Sequence, residues 1–418
     1  MRYIADLHLH SKYSRACSKD LDLAGNSAWA KKKGIQIVGT GDFTHPFWFK
    51  ELKEKLIEAK DGLYKLPGSD GKILFMITTE VSCIYSQGDQ VRRLHICLFV
   101  PNLETVAKIN TALEKRGVNL RADGRPIMGL SAEELTKIVI DANPDSLVIP
   151  AHAWTPWFSV FGSKSGFDSL AECFGEMTKY IYSIETGLSS DPPMNWRLSA
   201  LDNITLISNS DAHSPANLGR EANVFEIPEN ELSYQEIRRI IKEKDQKRFL
   251  YTIEFFPEEG KYHYDGHRDC QINFSPAESK KNKGICPVCK KTLVIGVLNR
   301  VDQLADRELG TKPTNIIPFK SLVPLQEIIA EVLDVAKTSK KVQQKYDEIV
   351  AAGGSEFEIL LDKDYDEIKK IASPEIALGI KNLREQKVEA VAGYDGVFGV
   401  VKVFGKNRIK RPTQKSLL

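Results

Sequence analysis

The chain has 418 residues, with 58 Lys+Arg against 56 Asp+Glu, a formal net charge of +2, and 42% hydrophobic residues. So balanced a charge excludes a polycationic nucleic-acid coat protein but leaves room for an enzyme with a local basic groove. No apolar run approaches the roughly 18 residues of a membrane span. Asp6 follows Met1 too closely for a secretory h-region, so a cytoplasmic protein, monomeric and without a membrane partner, is expected. Seven cysteines, an odd number, argue against a disulfide framework; Cys17, Cys83, Cys97 and Cys173 read as buried thiols among apolar neighbours.

Through about residue 255, short apolar runs alternate with amphipathic stretches. The runs are Tyr3–Leu7, Ile35–Val38, Ile73–Thr78, Leu94–Val100, Leu147–Ile149, Ile181–Ile184, Ile204–Ile207 and Phe249–Phe255. Between them a helix ends at Gly34, another opens on the Ser131-Ala132-Glu133-Glu134 capping box, and a third spans Tyr234–Lys244 with Ile237, Ile240 and Ile241 on one stripe. This alternation predicts a mainly parallel sheet in a closed α/β barrel of about seven units, a doubly wound open sheet being the alternative. Residues 256–300 break the pattern, being rich in Lys, Gly, Pro, Cys and His. Helices are predicted at Pro324–Thr338, Val342–Ala352, Phe357–Leu361, Tyr365–Ala372 and Pro374–Val388. Three regions follow: a barrel over 1–255, a small module over 256–300 and a helical C-terminal region over 301–418. The tail from Lys406 adds Arg408, Lys410, Arg411 and Lys415 and is expected to fray. Lys31–Lys33 and Lys340-Lys341 read as solvated helix ends.

Of eight histidines, several sit at or just beyond predicted strand ends: His8 and His10 after the first, His152 and His213 after later ones, with His45 slightly further on and His95 within its strand. Carboxylates share these positions: Asp6, Asp42, Glu80, Glu185 and Asp211. Strand ends of an α/β barrel converge on one face, and imidazole with carboxylate there suits Zn²⁺, Mn²⁺ or Fe²⁺. In His8-Leu9-His10 both rings point to one side, because side chains of an extended segment repeat every two residues. A second set, His267-x2-Cys270-x15-Cys286-x2-Cys289, has the spacing of a structural zinc site, with His263 as an alternative fourth ligand. Arg268, Lys280, Lys281, Lys283, Lys290 and Lys291 surround it.

Asp6-Leu7-His8-Leu9-His10, Gly39-Thr40-Gly41-Asp42, Glu80, His95, His152 and Ser210-Asp211-Ala212-His213 resemble the motifs of the PHP (polymerase and histidinol phosphatase) superfamily. That resemblance implies a distorted (β/α)7 barrel holding two or three divalent ions (Zn, Mn or Mg) for phosphoester hydrolysis. It assigns His8, His10, Glu80 and Asp211 to a first ion, and Glu80 as a bridge with His95 and His152 to a second. His213 with a ligand from the Asp42–His45 turn would take a third. Glu185 stands as a ligand or as a residue behind one. Glu80, Asp211 and His213 are the residues expected to carry catalysis.

The order of barrel, one-histidine three-cysteine element and helical region further resembles the endonuclease Q family, as do Gly41–Pro46, Ala151–Trp157, Glu185–Pro193 and Tyr262–His267. That family implies a DNA repair nuclease. It cuts double- or single-stranded DNA 5′ of deaminated bases (uracil, hypoxanthine, xanthine) and abasic sites, leaving 3′-hydroxyl and 5′-phosphate, with a repair or replication protein as a further partner. A small-molecule phosphoesterase, a 3′-5′ exonuclease and a binding module on a degenerate barrel are the alternatives. On this reading Trp154, Trp157, Phe158 and Phe161 are candidates to stack on or wedge DNA. Asn195 and Arg197, on a helix opened by Asp191, are candidates for a phosphate cradle.

Overall fold

The computed structural model describes residues 1–405, and the cationic tail from Lys406 lies outside them. Thirteen strands build the barrel region: β1 (Arg2–Asp6), β2 (Ile37–Gly39), β3 (Ile57–Lys60), β4 (Leu63–Lys65), β5 (Leu74–Met76), β6 (Thr78–Gln87), β7 (Gln90–Phe99), β8 (Ile127–Met128), β9 (Leu147–Pro150), β10 (Ser183–Glu185), β11 (Thr205–Ile207), β12 (Ala222–Glu226) and β13 (Phe249–Glu254). A short hairpin follows, β14 (Asp265–His267) with β15 (Ile272–Phe274), and then β16 (Phe319–Ser321). The final hairpin is β17 (Glu389–Val391) with β18 (Val400–Lys402).

The pairing is mixed, which corrects the expectation of a mainly parallel sheet. One eight-stranded sheet runs β16-β13-β12-β1-β2-β5-β4-β3, and a four-stranded one runs β8-β6-β7-β9. Strand β1 lies parallel to β2 and antiparallel to β12, while β6 and β7 form a ten-pair antiparallel hairpin. Two arms joined by a tight turn cannot be parallel. The parallel pair β10-β11, prolonged by Thr186 N to Ile207 O at 3.0 Å, continues the wall, and main-chain contacts tie the strand ends together around one mouth: Ala153 N to Glu185 O at 2.9 Å and the Leu9–Ala212 bridge.

Side-chain alternation fixes the strand faces. Tyr3, Ala5 and Leu7 join Ile37, Leu74, Met76, Cys97, Phe99, Ile149 and Ile207 in one buried cluster, while Ile4 faces the opposite one. The helix Leu23–Lys33 is capped by Asp22 and stopped by Gly34 at φ 85°, and Ala132–Ala142 opens on the Ser131–Glu134 capping box. Lys33 is buried, contrary to its reading as a solvated end: its Nζ meets Glu356 at 2.7 Å, and Tyr346 also donates to Glu356 at 2.8 Å, tying the barrel to the C-terminal region. That region holds helices Leu325–Leu333, Lys340–Gly353, Tyr365–Ile371 and Pro374–Arg384, with one wider turn over Glu358–Asp362. The first and last stop short of the predicted ends. Asp334 takes a left-handed φ of 57° after the first, and the chain beyond the last goes to the hairpin β17-β18. No helix among the described residues is long and apolar enough to cross a membrane.

Candidate metal centre

Strands β1, β9 and β11 deliver their ends to the mouth, β6 and β7 bring Glu80 and His95 from within the strands, and with them come the donor atoms. His8, His10, Glu80 and Asp211 each place one donor atom within 4.8 Å of the others. His10 Nε2 lies 3.1 Å from Asp211 Oδ1 and 3.3 Å from Glu80 Oε2, while His8 Nε2 is 3.6 Å from both of those oxygens. A second set uses the other oxygen of the same carboxylate: Glu80 Oε1 is 2.8 Å from His95 Nδ1 and 3.1 Å from His152 Nε2. Thus one buried carboxylate faces two groups of lone pairs. His8 Nε2 is buried and has no hydrogen-bond partner. An orphaned imidazole nitrogen among converging carboxylate oxygens is costly unless a cation meets it, so the residues present fit divalent ions.

Electrostatics agree with that chemistry. Burial pushes the Glu80 carboxyl up, but His95, Arg125 and His8 together outweigh it and hold it well below the usual range. Burial pushes the His95 imidazole down to about 4, against the pull of Glu80. The backbone is strained at the same places: Asp42, His152 and Asp211 take φ values of 48°, 30° and 47°. Side chains pay for left-handed backbone only where the surroundings impose it, and such positions concentrate at functional sites. Next to His152, Gly187 leaves room that a side chain would fill, since a Cβ there would lie 2.5 Å from the His152 Cβ.

Behind the donors stands a layer of acceptors. Glu185 receives His8 Nδ1 at 2.9 Å, and Asp42 receives His10 Nδ1 at 3.1 Å. Asp42 also accepts from Ser11 N at 2.6 Å and from Ser14 Oγ at 2.8 Å. Among the described residues Asp42, His45 and His213 do not gather into a third cluster of converging donor atoms like the two above. Asp42 is occupied holding His10, and the buried His45 ring stacks on Tyr13 at 4.5 Å. His213 lies half-exposed beside His10, with ring centroids 4.6 Å apart, and its Nδ1 donates to Asp211 O at 2.8 Å.

The aromatic candidates divide. Trp154 and Phe161 are both 1% exposed and pack on each other at 4.7 Å, so they are interior packing rather than DNA contacts. Phe158 is half-buried with its ring 4.6 Å from His95, and Trp157 meets Tyr262 edge-on at 5.4 Å. Asn195 is fully buried: its Oδ1 accepts from Trp154 Nε1 at 2.8 Å, and its Nδ2 donates to Ser190 and to Asp191 O. The helix it ends is four residues long and already capped by Asp191, whose carboxylate accepts from Met194 N at 3.0 Å. Arg197 is paired with Asp302 on the helix Val297–Leu304. Neither Asn195 nor Arg197 is left free to cradle a phosphate, a correction to the sequence expectation. Residues that the motifs did not reveal are Asn209, which donates to Glu185 at 2.9 Å, and Arg125, whose Nη1 meets Glu80 Oε2 at 2.9 Å.

At the second candidate site, His267, Cys270, Cys286 and Cys289 bring their donor atoms within 4.8 Å of one another. His267 ends β14 and Cys270 closes the turn that follows it. A second turn, closed by Cys286 N to Lys291 O at 2.8 Å, carries the others. His263 is buried beside Tyr264 and is outside the cluster. All seven cysteines are free.

Comparison with known proteins places the chain. The MJ0043 C-terminal domain family model matches residues 324–387. The chain is 32% identical over 255 residues to uncharacterized protein MJ0043 of Methanocaldococcus jannaschii, a match covering 60% of this chain but 31% of that protein. It is 28% identical over 413 residues to uncharacterized protein YqxK of Bacillus subtilis, covering 95% of this chain and 98% of that one. The crystal structure of the lesion-specific endonuclease PfuEndoQ from Pyrococcus furiosus superposes with a TM-score of 0.85 at 32% identity, covering 96% of this chain and 95% of that one. An endonuclease Q bound to a 27-mer duplex with an abasic lesion at the active site matches equally, at TM-score 0.85 and 32% identity over 99% of both chains. Similarity of that extent, in sequence and in fold together, makes this chain a member of the endonuclease Q family.

Proposed function

We propose that the cleft nicks DNA on the 5′ side of a deaminated base (uracil, hypoxanthine or xanthine) or an abasic site, leaving a 3′-hydroxyl and a 5′-phosphate. The observation that carries the hydrolytic reading is the sharing of Glu80 between two donor sets, one through each carboxylate oxygen. His8, His10, Glu80 and Asp211 would hold one divalent ion, and Glu80, His95 and His152 another. Ions so placed lower the pKa of water and stabilise charge on the attacking and leaving oxygens of a phosphoryl ester. The chain's own groups then have distinct tasks. Glu185 and Asp42 fix the rings of His8 and His10. His213 keeps Nε2 available at the rim to hold or move a proton, because its Nδ1–H is spent on Asp211 O. Phe158 lies beside His95 of the second donor set and Trp157 precedes it against Tyr262, and an unstacked base could lie against either ring.

We assign residues 1–255 to the phosphoesterase barrel, 256–300 to a module organised by one structural zinc, and 301–418 to a helical DNA-binding region. Four protein ligands leave a zinc no open position, so His267, Cys270, Cys286 and Cys289 serve folding rather than chemistry. Exposed Arg268, Lys280, Lys281, Lys283, Lys290 and Lys291 on this module supply the positive surface that a phosphate backbone requires. The test is incubation of the protein and a divalent metal with an end-labelled duplex carrying one deoxyuridine, followed by mapping of the cut. A single nick immediately 5′ of the lesion is expected. Release of mononucleotides from an end would instead mean an exonuclease, and turnover of p-nitrophenyl phosphate without nicking would mean a small-molecule phosphoesterase.

A further inference from the structure

Arg125 is, among the described residues, the one lysine or arginine paired with a carboxylate of the two donor sets. Its backbone is fixed on both sides. Pro126 O accepts from Ser82 N at 3.0 Å, and Ile127 pairs with Ser82, two residues beyond Glu80 on the same strand. Gly124 N donates to Tyr13 O at 3.0 Å, and Gly124 O accepts from Thr44 Oγ1 at 3.2 Å. A Cβ at Gly124 would lie 2.3 Å from Asp42 Oδ2, so the loop is pressed directly against the acceptor that holds His10. The guanidinium can therefore move only by its side-chain torsions. Its side chain is 28% exposed, so it reaches from the buried carboxylate to the open cleft.

The oxygen it takes is the informative detail. Arg125 Nη1 meets Glu80 Oε2, the oxygen that also faces His10 Nε2 at 3.3 Å and His8 Nε2 at 3.6 Å. A guanidinium and a divalent ion cannot both sit on this oxygen without repelling one another. With the first donor set loaded, the arginine loses its reason to face Glu80, and the fixed loop keeps it at the cleft. A planar fork of donors there matches the non-bridging oxygens of a phosphate diester.

We propose that Arg125 is a phosphate ligand coupled to metal loading: it neutralises Glu80 in the metal-free protein and turns to the scissile phosphate when a divalent ion takes Glu80 Oε2. This rests on the two-ion endonuclease reading above. The full chain is stripped of metal and titrated with manganese by calorimetry, as wild type, Arg125→Met and Arg125→Lys. Removing the competing cation should tighten manganese binding by roughly tenfold in Arg125→Met, the worth of a charge-assisted hydrogen bond. Metal-free Arg125→Met should melt below metal-free wild type, because the buried Glu80 then loses its guanidinium partner, while the loaded forms melt together. At saturating manganese, KM for a deoxyuridine duplex should rise by roughly tenfold or more in Arg125→Met, with partial recovery in Arg125→Lys. Unaltered or weaker manganese binding by a folded Arg125→Met protein overturns the proposal, and so does an unaltered KM and kcat. Wild-type protein that neither takes up manganese in the cleft nor nicks DNA sinks the two-ion reading and this inference with it. Wild type that does both, beside an indifferent Arg125→Met variant, sinks the inference alone.

Discussion

Glu185 and His8 face one another inside the barrel mouth, with His8 Nδ1 2.9 Å from Glu185 Oε2. The carboxylate already accepts from Asn209 Nδ2 at 2.9 Å and from His152 N at 3.0 Å, so it meets donors on every side. His8 must then carry its proton on Nδ1, which leaves the Nε2 lone pair aimed at Glu80 and Asp211. Glu185 thus sets a tautomer as well as a ring position. Glu185→Gln presents an amide that cannot accept from all three donors. It should weaken metal binding by about 10–100-fold, the usual cost of removing a partner behind a metal-bound histidine. Activity should return in part as metal is added. Unchanged metal affinity in a titration would take Glu185 out of this role.

Glu80 is the single residue on which both donor sets depend. Glu80→Ala should strip metal from both and abolish nicking. Asp211→Asn should keep the fold and lose activity, because a neutral amide is a poor metal ligand. Elemental analysis of the purified variants reads the first effect and circular dichroism checks the second. Near wild-type nicking by either variant would move the bridge or the first site elsewhere.

How much of this was legible in the sequence depended on whether chemistry or burial decided a residue's place. His8, His10, His95, His152, Glu80 and Asp211 announce themselves because few side chains bind metals and they recur at strand ends. Arg125 gives no such signal: it is one arginine in a loop, and only the pairing of Ile127 with Ser82 brings it to Glu80. Trp154 and Trp157 look alike in sequence, yet one turns inward to donate to Asn195 and the other meets Tyr262. The β6-β7 hairpin was missed for a related reason. Its inner halves are apolar, while residues such as Gln87, Gln90 and Arg92 project beyond the core and do not read as strand.

The Cys286→Ser, Cys289→Ser double variant should lose one zinc and melt the module locally. The barrel donors lie on separate elements and should keep their metals. Binding to duplex DNA should fall more than hydrolysis of a minimal phosphodiester such as bis-p-nitrophenyl phosphate. A double variant with the zinc content of wild type would dismiss the four-ligand site.

Stability should also depend on pH through a buried carboxyl that is not one of the donors. Glu254 is fully buried, and burial raises it from 4.5 to about 8, while Thr186 Oγ1 donates to it at 2.9 Å. The folded protein then keeps a proton that the unfolded chain releases near pH 4.5. Folding takes up that proton between the two values, so stability is whole below the lower one and falls as pH rises toward the upper. The slope is at most about 1.4 kcal/mol per pH unit for one proton. Glu254→Gln, neutral throughout, should flatten this part of the profile in urea denaturation. A wild-type profile that rises from pH 5 to pH 8 would contradict the assignment.

Deamination exchanges an exocyclic amino donor for a carbonyl acceptor, and on the proposed function the choice of lesion would follow from that exchange. A pocket that offers N–H groups at this position satisfies uracil, hypoxanthine and xanthine alike. It leaves a buried donor facing the amino group of cytosine or adenine, at a cost of roughly 1–3 kcal/mol. The Asn195 amide is spent on Ser190 and Asp191 and would not serve as such a donor. Weak pairing helps as well, since a mismatched base leaves the stack more cheaply. The two contributions separate in a substrate series. If the base edge is read, all three deaminated bases should be cut and undamaged cytosine or adenine in the same context should not. Methylation at N3 of uracil removes the ring N–H while weakening pairing further. An edge-reading pocket should therefore cut N3-methyluracil more slowly than uracil, despite its easier escape from the helix. Equal or faster cutting would show that ease of flipping carries the discrimination.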